Sequence, residues 1–401
     1  MIEKSCKVKQ IAYLKEFHCI ADRCSDNCCV SNWVIDVTDD NKKLYDDQAP
    51  EIAGGVEARE GSGYRMKKTE TADCVWFNEE KRICNVHANY GPKFLPDICY
   101  TFPRSYKKFD DQYFVTANMA CPEIVRIALY TETKDAFCFP QKQVTEKFTK
   151  PDIGNFKGYE FKNVKNEKLF SIFNYVNNQI DNEEFSADQS MARLLLFAND
   201  LDQNPADSWF EIKEKLYDKA DKSQISQISK DNIDSVIFEE ALIEILEAIF
   251  ILINRDRQRY NVILAAVKKH LGDNFDDPNQ LWENYQKIKT KWQKDQKDNF
   301  EPILKNMLKA IISYHMFPTA CYFVKKYHTA ISIALHYIIV KVFLMCRNVQ
   351  LKGKFSVTDV VDTVQPISKR FYVRKKQEIY DFCEKIGWNN VNKVITILLN
   401  L

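Results

Sequence analysis

The second half of the chain has the hydrophobic pattern of amphipathic helices. From about residue 168 almost to the end, apolar residues recur at three- and four-residue spacing, which places them on one face of a helix. Pro318 and Pro366 predict breaks between helices, and Ser356, just before a short apolar run, predicts a helix start. The predicted helices lie within residues 191–202, 209–216, 236–267, 281–296, 300–313, 327–345 and 375–386.

The N-terminal third has shorter and more irregular elements. Residues 1–18 are predicted to be a lead-in segment whose apolar side chains pack under the region that follows. Residues 96–122 are punctuated by prolines and are predicted to be mostly loop. The other predictions are a strand at 33–37, a short helix at 39–50, a glycine-containing loop or hairpin at 51–64, and two short strands around a polar turn at 73–86.

These patterns predict a mainly α-helical protein in two parts. A loop-rich N-terminal domain with short strands is assigned to residues 1–135, and an α-helical domain to residues 168–401. Residues 136–167 are assigned to a linker, because the chain from Thr131 to Glu167 is polar, rich in lysine and interrupted by prolines and glycines.

Two apolar segments were compared with membrane spans. Residues 236–267 contain several glutamates, which indicates an amphipathic helix. Residues 327–345 approach the ~20 residues of a span but carry His328, His336 and Lys341, so we predict a helix buried in a bundle. The first residues alternate charged and apolar side chains and lack the apolar stretch of a secretory signal. The sequence therefore predicts a cytoplasmic protein without a membrane span.

Composition and charge exclude several classes of function. The chain of 401 residues is 45% hydrophobic and 28% charged, which is typical of a globular protein with a sizeable core. Its net charge is +1, so binding to nucleic acid or anionic lipid is not favoured. The chain has no G-x-G-x-x-G, P-loop, H-E-x-x-H or G-x-S-x-G motif, which disfavours the nucleotide sites and hydrolases that use them.

The candidate chemistry lies in a concentration of cysteines. Eight of the thirteen cysteines fall between residues 19 and 121. In a reducing compartment such a cluster indicates a metal site rather than disulfides. Thiolates favour zinc or iron–sulfur clusters, and each centre needs four sulfurs, or sulfurs with histidine. The predicted metal ligands are Cys19, Cys24, Cys28, Cys29, Cys74, Cys84, Cys99 and Cys121.

The cysteine spacing leaves alternatives open. The run C-x4-C-x3-C-C is neither the C-x2-C pair of zinc ribbons nor the C-x3-C-x2-C run of radical S-adenosylmethionine enzymes. Cys28 and Cys29 are expected to point in divergent directions, so that one of them packs or belongs to a second site. Any single cysteine could instead be a small buried apolar residue. His18 and His87 could contribute to the site, although a packing or surface role is favoured. Core packing is predicted for the remaining cysteines, Cys6, Cys138, Cys321, Cys346 and Cys383.

Taken together, the cysteine motifs resemble those of the flagellin lysine N-methylases. Besides the first four cysteines and Trp33, the matching residues are Cys74, the run CNVHxxYGPKFLPDICYTFPR at 84–104, and Cys-Pro-Glu at 121–123. The resemblance covers residues 12–130 and continues more loosely through the helical half. The chain departs from the family pattern in having Val-Trp-Phe after Cys74 and in the sequence PISKRFYVR that begins at Pro366.

The resemblance implies a cytoplasmic protein-lysine N-methyltransferase. Its expected reaction moves a methyl group from S-adenosylmethionine to lysine ε-amines of flagellin, and its cysteines would hold a [4Fe-4S] cluster, with zinc as the alternative. The amine must be neutral to react and must be aligned with the methyl carbon. Tyr100, Tyr106 and Asp97, near Cys99, are predicted to be catalytic and Arg104 to bind the cofactor. Ordinary loop hydrogen bonding and core contacts are the alternative roles for these four residues.

Other functions remain compatible with the cysteines. A non-enzymatic iron–sulfur or zinc-binding protein could deliver metal or dock a partner through its helical half. An electron-transfer protein is less favoured, because no flavin or nicotinamide signature is present. Within the methylase interpretation, a structural role of the metal is favoured over radical chemistry, because attack by a neutral amine needs no radical.

Overall fold

The computed structural model describes residues 4–30, 33–59, 61, 63–109, 112–139, 144–148, 165–231, 259–272, 277–295, 297–319, 325–373 and 376–400. Within these residues, short strands and loops occupy the N-terminal part and long helices the C-terminal part. The predicted fold class is therefore confirmed. Most of the predicted linker, residues 136–167, lies outside the described residues.

The N-terminal part contains nine strands and five short helices among the residues described. The strands are β1 (Lys4–Gln10), β2 (Asp36–Val37), β3 (Val56–Ala58), β4 (Tyr64–Met66), β5 (Phe77–Asn78), β6 (Ile83–Cys84), β7 (Arg104–Phe109), β8 (Gln112–Ala117) and β9 (Val144–Phe148). The helices are α1 (Asp39–Gln48), α2 (Pro50–Gly54), α3 (Asn85–Tyr90), α4 (Asp97–Thr101) and α5 (Pro122–Leu129).

The C-terminal part contains helices joined by turns and loops among the residues described. Its helices are α6 (Asn166–Ile180), α7 (Ala187–Asp202), α8 (Trp209–Lys219), α9 (Lys222–Asp231), α10 (Arg259–Leu271), α11 (Pro278–Asp295), α12 (Lys297–His315), α13 (Lys326–Gln350), α14 (Val357–Val373), α15 (Lys376–Lys385) and α16 (Val391–Asn400).

A four-stranded sheet in the order β7-β8-β1-β9 was not predicted. Strand β1 runs parallel to β8 and antiparallel to β9, and β7 and β8 form an antiparallel hairpin. The sequence analysis assigned β1 to a lead-in segment and the region of β7 and β8 mostly to loop. Those assignments are wrong, because β1 finds its partners far away in the sequence and no local pattern reports such pairing.

The buried apolar side chains form two clusters. The larger one joins the four-stranded sheet and α5 to the C-terminal helices, with the rings of Phe114 and Phe170 stacked at a centroid distance of 3.5 Å. The smaller one, which we call the cysteine core, consists of Cys29, Ile35, Val37, Leu44, Tyr45, Ala49, Ile52, Val56, Met66, Cys74 and Val86. The N-terminal sheet thus packs with the helices, while the cysteine core is a separate cluster. Domain boundaries at 135 and 168 remain a prediction.

Helix α13 is the centre of the helical part. It packs against α7, α10, α11, α12, α14 and α15. Its length and composition would suit a membrane span, with a mean hydropathy of 1.9 over its most apolar 18 residues, yet all of that stretch is buried inside the protein. The prediction of a buried helix at 327–345 is confirmed.

The predicted helices are found wherever the structure describes their residues. The segment 236–267 is described only from Arg259, where α10 begins, and the rest of it lies outside the described residues. Ser356 precedes α14, and its hydroxyl accepts a hydrogen bond from the Asp359 amide at 3.2 Å, so the predicted helix start is confirmed. Pro318 lies in a turn after α12, as predicted.

The predicted break at Pro366 is wrong, because Pro366 lies inside α14. Proline removes one helical hydrogen bond and crowds the preceding turn. However, Val360, Val364, Ile367 and Phe371 are all buried and follow one helical face across the proline. Packing of this face against the bundle outweighs the local preference of proline.

A buried ion pair joins α7 to α13. The Lys341 Nζ lies 2.8 Å from Asp188 Oδ2, and the Tyr337 hydroxyl donates to Asp188 Oδ1 at 2.8 Å. The side chains of Lys341 and Asp188 are only 7% and 26% exposed. Each charge is therefore stabilised mainly by the other and only weakly by solvent.

We expect Asp188→Ala to lower the free energy of unfolding by about 3 kcal/mol, because it leaves the Lys341 charge buried without its carboxylate. The double variant with Lys341→Met should lose less than the sum of the two single variants. Urea denaturation followed by circular dichroism measures both effects. Asp36→Ala is the control, because Asp36 and Arg59 form an ion pair whose side chains are 57% and 48% exposed. It should cost less than about 1 kcal/mol, and equal losses at both sites would contradict the argument.

Candidate metal centre

The cysteine core is assembled from very short elements. Strands β2, β4 and β3 form a three-stranded antiparallel sheet, and α1 and α2 cover it. Five predicted ligands belong to this core: Cys29 and Cys74 are buried in it, and Cys28, Cys84 and Cys99 pack at its edge. Helices and strands of this length are marginal by themselves. The region therefore needs additional links between its loops.

Hydrogen bonds around the first cysteine loop supply some of these links. The Cys74 amide donates to the Cys29 carbonyl at 2.9 Å, and the Cys29 amide donates to Asn27 Oδ1 at 3.0 Å. In the other direction, Asn27 Nδ2 donates to the Arg82 carbonyl at 2.9 Å and Arg82 Nη2 donates to the Cys24 carbonyl at 2.8 Å. Backbone and side chains thus bring residues 24–29 against the β5–β6 turn.

Three thiols are in hydrogen-bond contact at this point. Cys29 shares hydrogen bonds with both Cys28 and Cys84, and these bonds, together with burial, raise the pKa of Cys29. Its hydrogen bond with Cys29 lowers the pKa of Cys28, and the charge of Lys369 lowers it further. The hydrogen bond between Cys29 and Cys84 lowers the pKa of Cys84 to about 6. The shared hydrogen bonds therefore favour the protonated form of Cys29 and shift Cys28 and Cys84 toward the thiolate form. The expectation that Cys28 and Cys29 point apart is wrong for their thiols.

Cys74 and Cys99 lie close to this trio. Burial raises the pKa of both thiols, and each also interacts electrostatically with Cys28 and Cys84. The predicted β5–β6 hairpin is confirmed, with Phe77 opposite Cys84, while Cys74 precedes β5 rather than belonging to it. The Cys84 sulfur also accepts hydrogen bonds from the backbone amides of His87 and Val86. Backbone donors thus favour its thiolate form.

A second group of thiols lies beside the first. Burial raises the pKa of Cys24 to about 11 and also raises that of Cys121, and both interact electrostatically with Cys28. Cys28 is therefore shared by the two groups. Cys19 is exposed but is within electrostatic reach of Cys24. His18 and His87 are both exposed, as expected for surface residues.

The donor chemistry of the cysteine core fits zinc or iron. Soft sulfurs share protons that a bound metal would displace, and the lowered pKa values of Cys28 and Cys84 shift them toward the thiolate form that metals require. In the part of the chain that the structure describes, the thiols hydrogen bond to one another, and no three Cys, His, Asp or Glu side chains are arranged so that they could hold an ion. Cys28, Cys29 and Cys84, with Cys74 and Cys99 beside them, form the densest group of predicted ligands, and the ligand set remains a prediction.

The predicted catalytic and cofactor residues lie in different environments. Asp97 begins α4, and Tyr100 on the same helix is 41% exposed. Arg104 and Tyr106 lie on β7, where Tyr106 is 9% exposed and packs in the larger cluster. The Arg104 guanidinium lies 5.2 Å from the centroid of the Phe17 ring. The roles of these four residues remain predictions.

Three polar residues next to the cysteines were missed by the sequence analysis. Asp26 lies between Cys24 and Cys28, and its carboxylate contacts Gln365 and Lys369 of α14 at 2.6 and 2.8 Å. Asp26 could have been noticed from its position inside the cysteine run. Gln365 and Lys369 lie far from the cysteines in sequence. The predicted helix break at Pro366 also placed them in different elements, so that no shared helical face was expected.

Two regions of the chain match known protein families. Residues 174–397, more than half of the 401, match the FliB lysine N-methylase C-terminal domain. The chain belongs to the FliB lysine N-methylase family. The predicted resemblance is therefore confirmed. Residues 18–122, which contain all eight predicted ligands, match a putative zinc- or iron-chelating domain.

Individual relatives of the FliB family are similar over parts of the chain. The flagellar biosynthetic protein FliU of Salmonella muenchen is 28% identical over 130 residues, which are 30% of this chain and 76% of FliU. The lysine-N-methylases of Salmonella typhimurium and Salmonella choleraesuis are each 26% identical over 152 residues, 36% of this chain and 37% of the relative. The chain thus matches little more than a third of the length of these two methylases. No solved structure matches it significantly.

We expect Cys28→Ser and Cys84→Ser each to reduce the amount of bound zinc or iron, because serine is a poor substitute for a thiolate at a soft metal. The melting temperature should fall as well, because metal binding adds to the free energy of folding. Metal content after anaerobic purification and thermal denaturation measure the two effects. Cys138→Ser is the control, since Cys138 faces Asn178 and lies in neither thiol group. Full metal content in both core variants would rule out this site.

Proposed function

We propose that the protein is a protein-lysine N-methyltransferase that moves a methyl group from S-adenosylmethionine to lysine ε-amines of flagellin. The observation that carries this proposal is the match of residues 174–397 to the lysine N-methylase domain. The similarity to a flagellar biosynthetic protein supports flagellin as the substrate. The proposed reaction takes place in the cytoplasm, before flagellin is exported.

The proposed transfer is a polar substitution. The lone pair of the neutral lysine nitrogen attacks the methyl carbon, the bond from carbon to the sulfonium sulfur breaks, and S-adenosylhomocysteine leaves as a neutral thioether. A free lysine has a pKa near ~10.4, so the protein must remove a proton from the ammonium before or during the attack. Holding the nitrogen in line with the methyl group supplies much of the rate.

Asp97, Tyr100 and Tyr106 are our candidates for handling this proton and placing the amine. Asp97 and Tyr100 flank Cys99 on α4, and the exposure of Tyr100 leaves its hydroxyl accessible to a protein substrate. Arg104, at the start of β7, is our candidate for binding the carboxylate of S-adenosylmethionine, because guanidinium groups pair with carboxylates in a bidentate manner. Tyr100, Arg104 and Tyr106 lie between Cys99 and Cys121, and Asp97 lies two residues before Cys99.

The metal in this proposal is a [4Fe-4S] cluster, with zinc as the alternative, and its role is structural. The cysteine core has short elements and several loops, which is the kind of region that a metal stabilises. When bound, such a cluster would be held by four cysteine thiolates and would link the loops that carry them. Since the methyl transfer needs no electron, the residues around the cluster have to orient the substrates rather than pass charge.

The decisive experiment incubates the anaerobically purified protein with isotopically labelled S-adenosylmethionine and flagellin, followed by mass spectrometry of the lysines. We expect flagellin lysines to gain labelled methyl groups. If no lysine gains the mass of a methyl group while the protein still binds metal, the methylase proposal is wrong, and a metal-binding or metal-delivery protein becomes the better interpretation.

We expect Tyr100→Phe to lower the turnover number about 100-fold, because it removes a hydroxyl proposed to take part in proton transfer. Its exposed position argues against misfolding as the cause of the loss. Tyr130→Phe is the matched control, as Tyr130 is 37% exposed but lies at the end of α5. A turnover number equal to that of the control would remove Tyr100 from the catalytic residues.

A further inference from the structure

One face of α14 contacts both ends of the cysteine-rich region. Gln365 and Lys369 are one helical turn apart and therefore project from the same side. That side meets the loop at residues 25–28, which carries Asp26, and the segment just before Cys121. Helix α14 belongs to the lysine N-methylase part of the chain, so this contact joins the two matched regions.

A single amide bridges the two cysteine segments. Gln365 Nε2 donates to Asp26 Oδ2 at 2.6 Å and to the Ala120 carbonyl at 2.7 Å. Asp26 lies between Cys24 and Cys28, and Ala120 immediately precedes Cys121. The Gln365 side chain thus fixes the separation of two loops that are about a hundred residues apart in sequence.

Lys369 completes the contact with a charge. Its Nζ lies 2.8 Å from the same Asp26 oxygen, and the two side chains are only 14% and 17% exposed. The carboxylate of Asp26 therefore accepts from both α14 residues on one oxygen. Charge-assisted hydrogen bonds of this kind hold a loop more firmly than neutral ones.

The loop contacts extend the same interface in both directions. The Cys24 sulfur donates to the Asp26 carbonyl at 3.3 Å, and the Ser25 hydroxyl donates to Asp362 Oδ1 at 3.4 Å. Gln365 is fully buried, and its Oε1 has no hydrogen-bond partner among the residues described. Burying an amide oxygen without a hydrogen bond costs free energy. The two hydrogen bonds of Gln365 Nε2 therefore determine the orientation of the amide group.

Another side of the same stretch of α14 is tied to the centre of the bundle. The Ser368 hydroxyl and His336 Nε2 of α13 lie 2.9 Å apart, and the His336 ring stacks on Phe371 at a centroid distance of 4.4 Å. Helix α14 is therefore held firmly by α13. Displacing the cysteine loops relative to this helix would break the Gln365 and Lys369 contacts.

We propose that Gln365 and Lys369 are positioning residues of the metal centre, which hold the Asp26 loop and the Ala120–Cys121 segment so that Cys24, Cys28 and Cys121 stay in register with the cysteine core. Neither residue is a proposed metal ligand. They act on the metal through the loops that carry its ligands, as outer residues do at other metal sites. The inference rests on the proposed metal centre and not on methyl transfer.

The test measures metal release rather than activity. Gln365→Leu and Lys369→Met should each lower the affinity for zinc or for the reconstituted iron–sulfur cluster by about 10- to 100-fold, seen as faster metal loss to a chelator. Lys369→Arg should restore most of the affinity, because it keeps a cation at Asp26. Lys354→Met is the matched control, since Lys354 is exposed just before α14, and it should release metal at the wild-type rate.

Two further measurements separate positioning from general stability. Asp26→Asn removes the charge from the loop side without changing the size of the residue, and it should raise the release rate as Lys369→Met does. Hydrogen exchange of residues 21–29 and 357–373 should increase in the variants even when the melting temperature of the metal-free protein is unchanged.

Wild-type release rates in Gln365→Leu, Lys369→Met and Asp26→Asn would overturn the proposal. So would a wild-type protein that binds neither zinc nor an iron–sulfur cluster after reconstitution. A protein that binds metal as expected but methylates no lysine would leave this inference standing and would reject the proposed function alone.

Discussion

The crowding of thiols in a small core is the constraint on which the rest of the structure depends. The cysteine core encloses Cys28, Cys29, Cys74, Cys84 and Cys99 between strands of two or three residues and helices no longer than ten. Elements of this size bury too little apolar surface to be stable without a cross-link. In the structure the sulfurs satisfy one another by sharing protons. A soft metal would replace those weak bonds with coordinate bonds and add its binding energy to folding.

The larger cluster fixes the ends of this region. The β7–β8 hairpin carries the chain from Cys99 to Cys121, and both strands pack in the same cluster as the C-terminal helices. Cys121 caps α5, which packs on α12 and α14. Cys121, which lies outside the cysteine core, is thus positioned by the helical part, and the two matched regions of the chain pack against each other.

For the proposed methyl transfer, this arrangement gives a physical reason for combining a region that matches a putative zinc- or iron-chelating domain with one that matches a lysine N-methylase domain. A transfer between two bound molecules gains most of its rate from alignment. Loops align substrates poorly unless they are fixed at several points. Here the loops around Cys99 are held by the cysteine core on one side and by the sheet on the other, and Asp26 ties the first cysteine loop to α14.

The sequence by itself determined the helices of the C-terminal half, the clustering of the cysteines and the family, because helical periodicity and motif spacing are local properties. Only the tertiary structure decided the four-stranded sheet, the continuous helix through Pro366 and the contact of Cys28 with Cys29 and Cys84. Each of these depends on partners that are distant in sequence: β8 for β1, the bundle for α14, and the β5–β6 hairpin for the thiols. Burial against such partners outweighs the local conformational preference of a segment. A short stretch of sequence does not include those partners, so its pattern cannot report the burial.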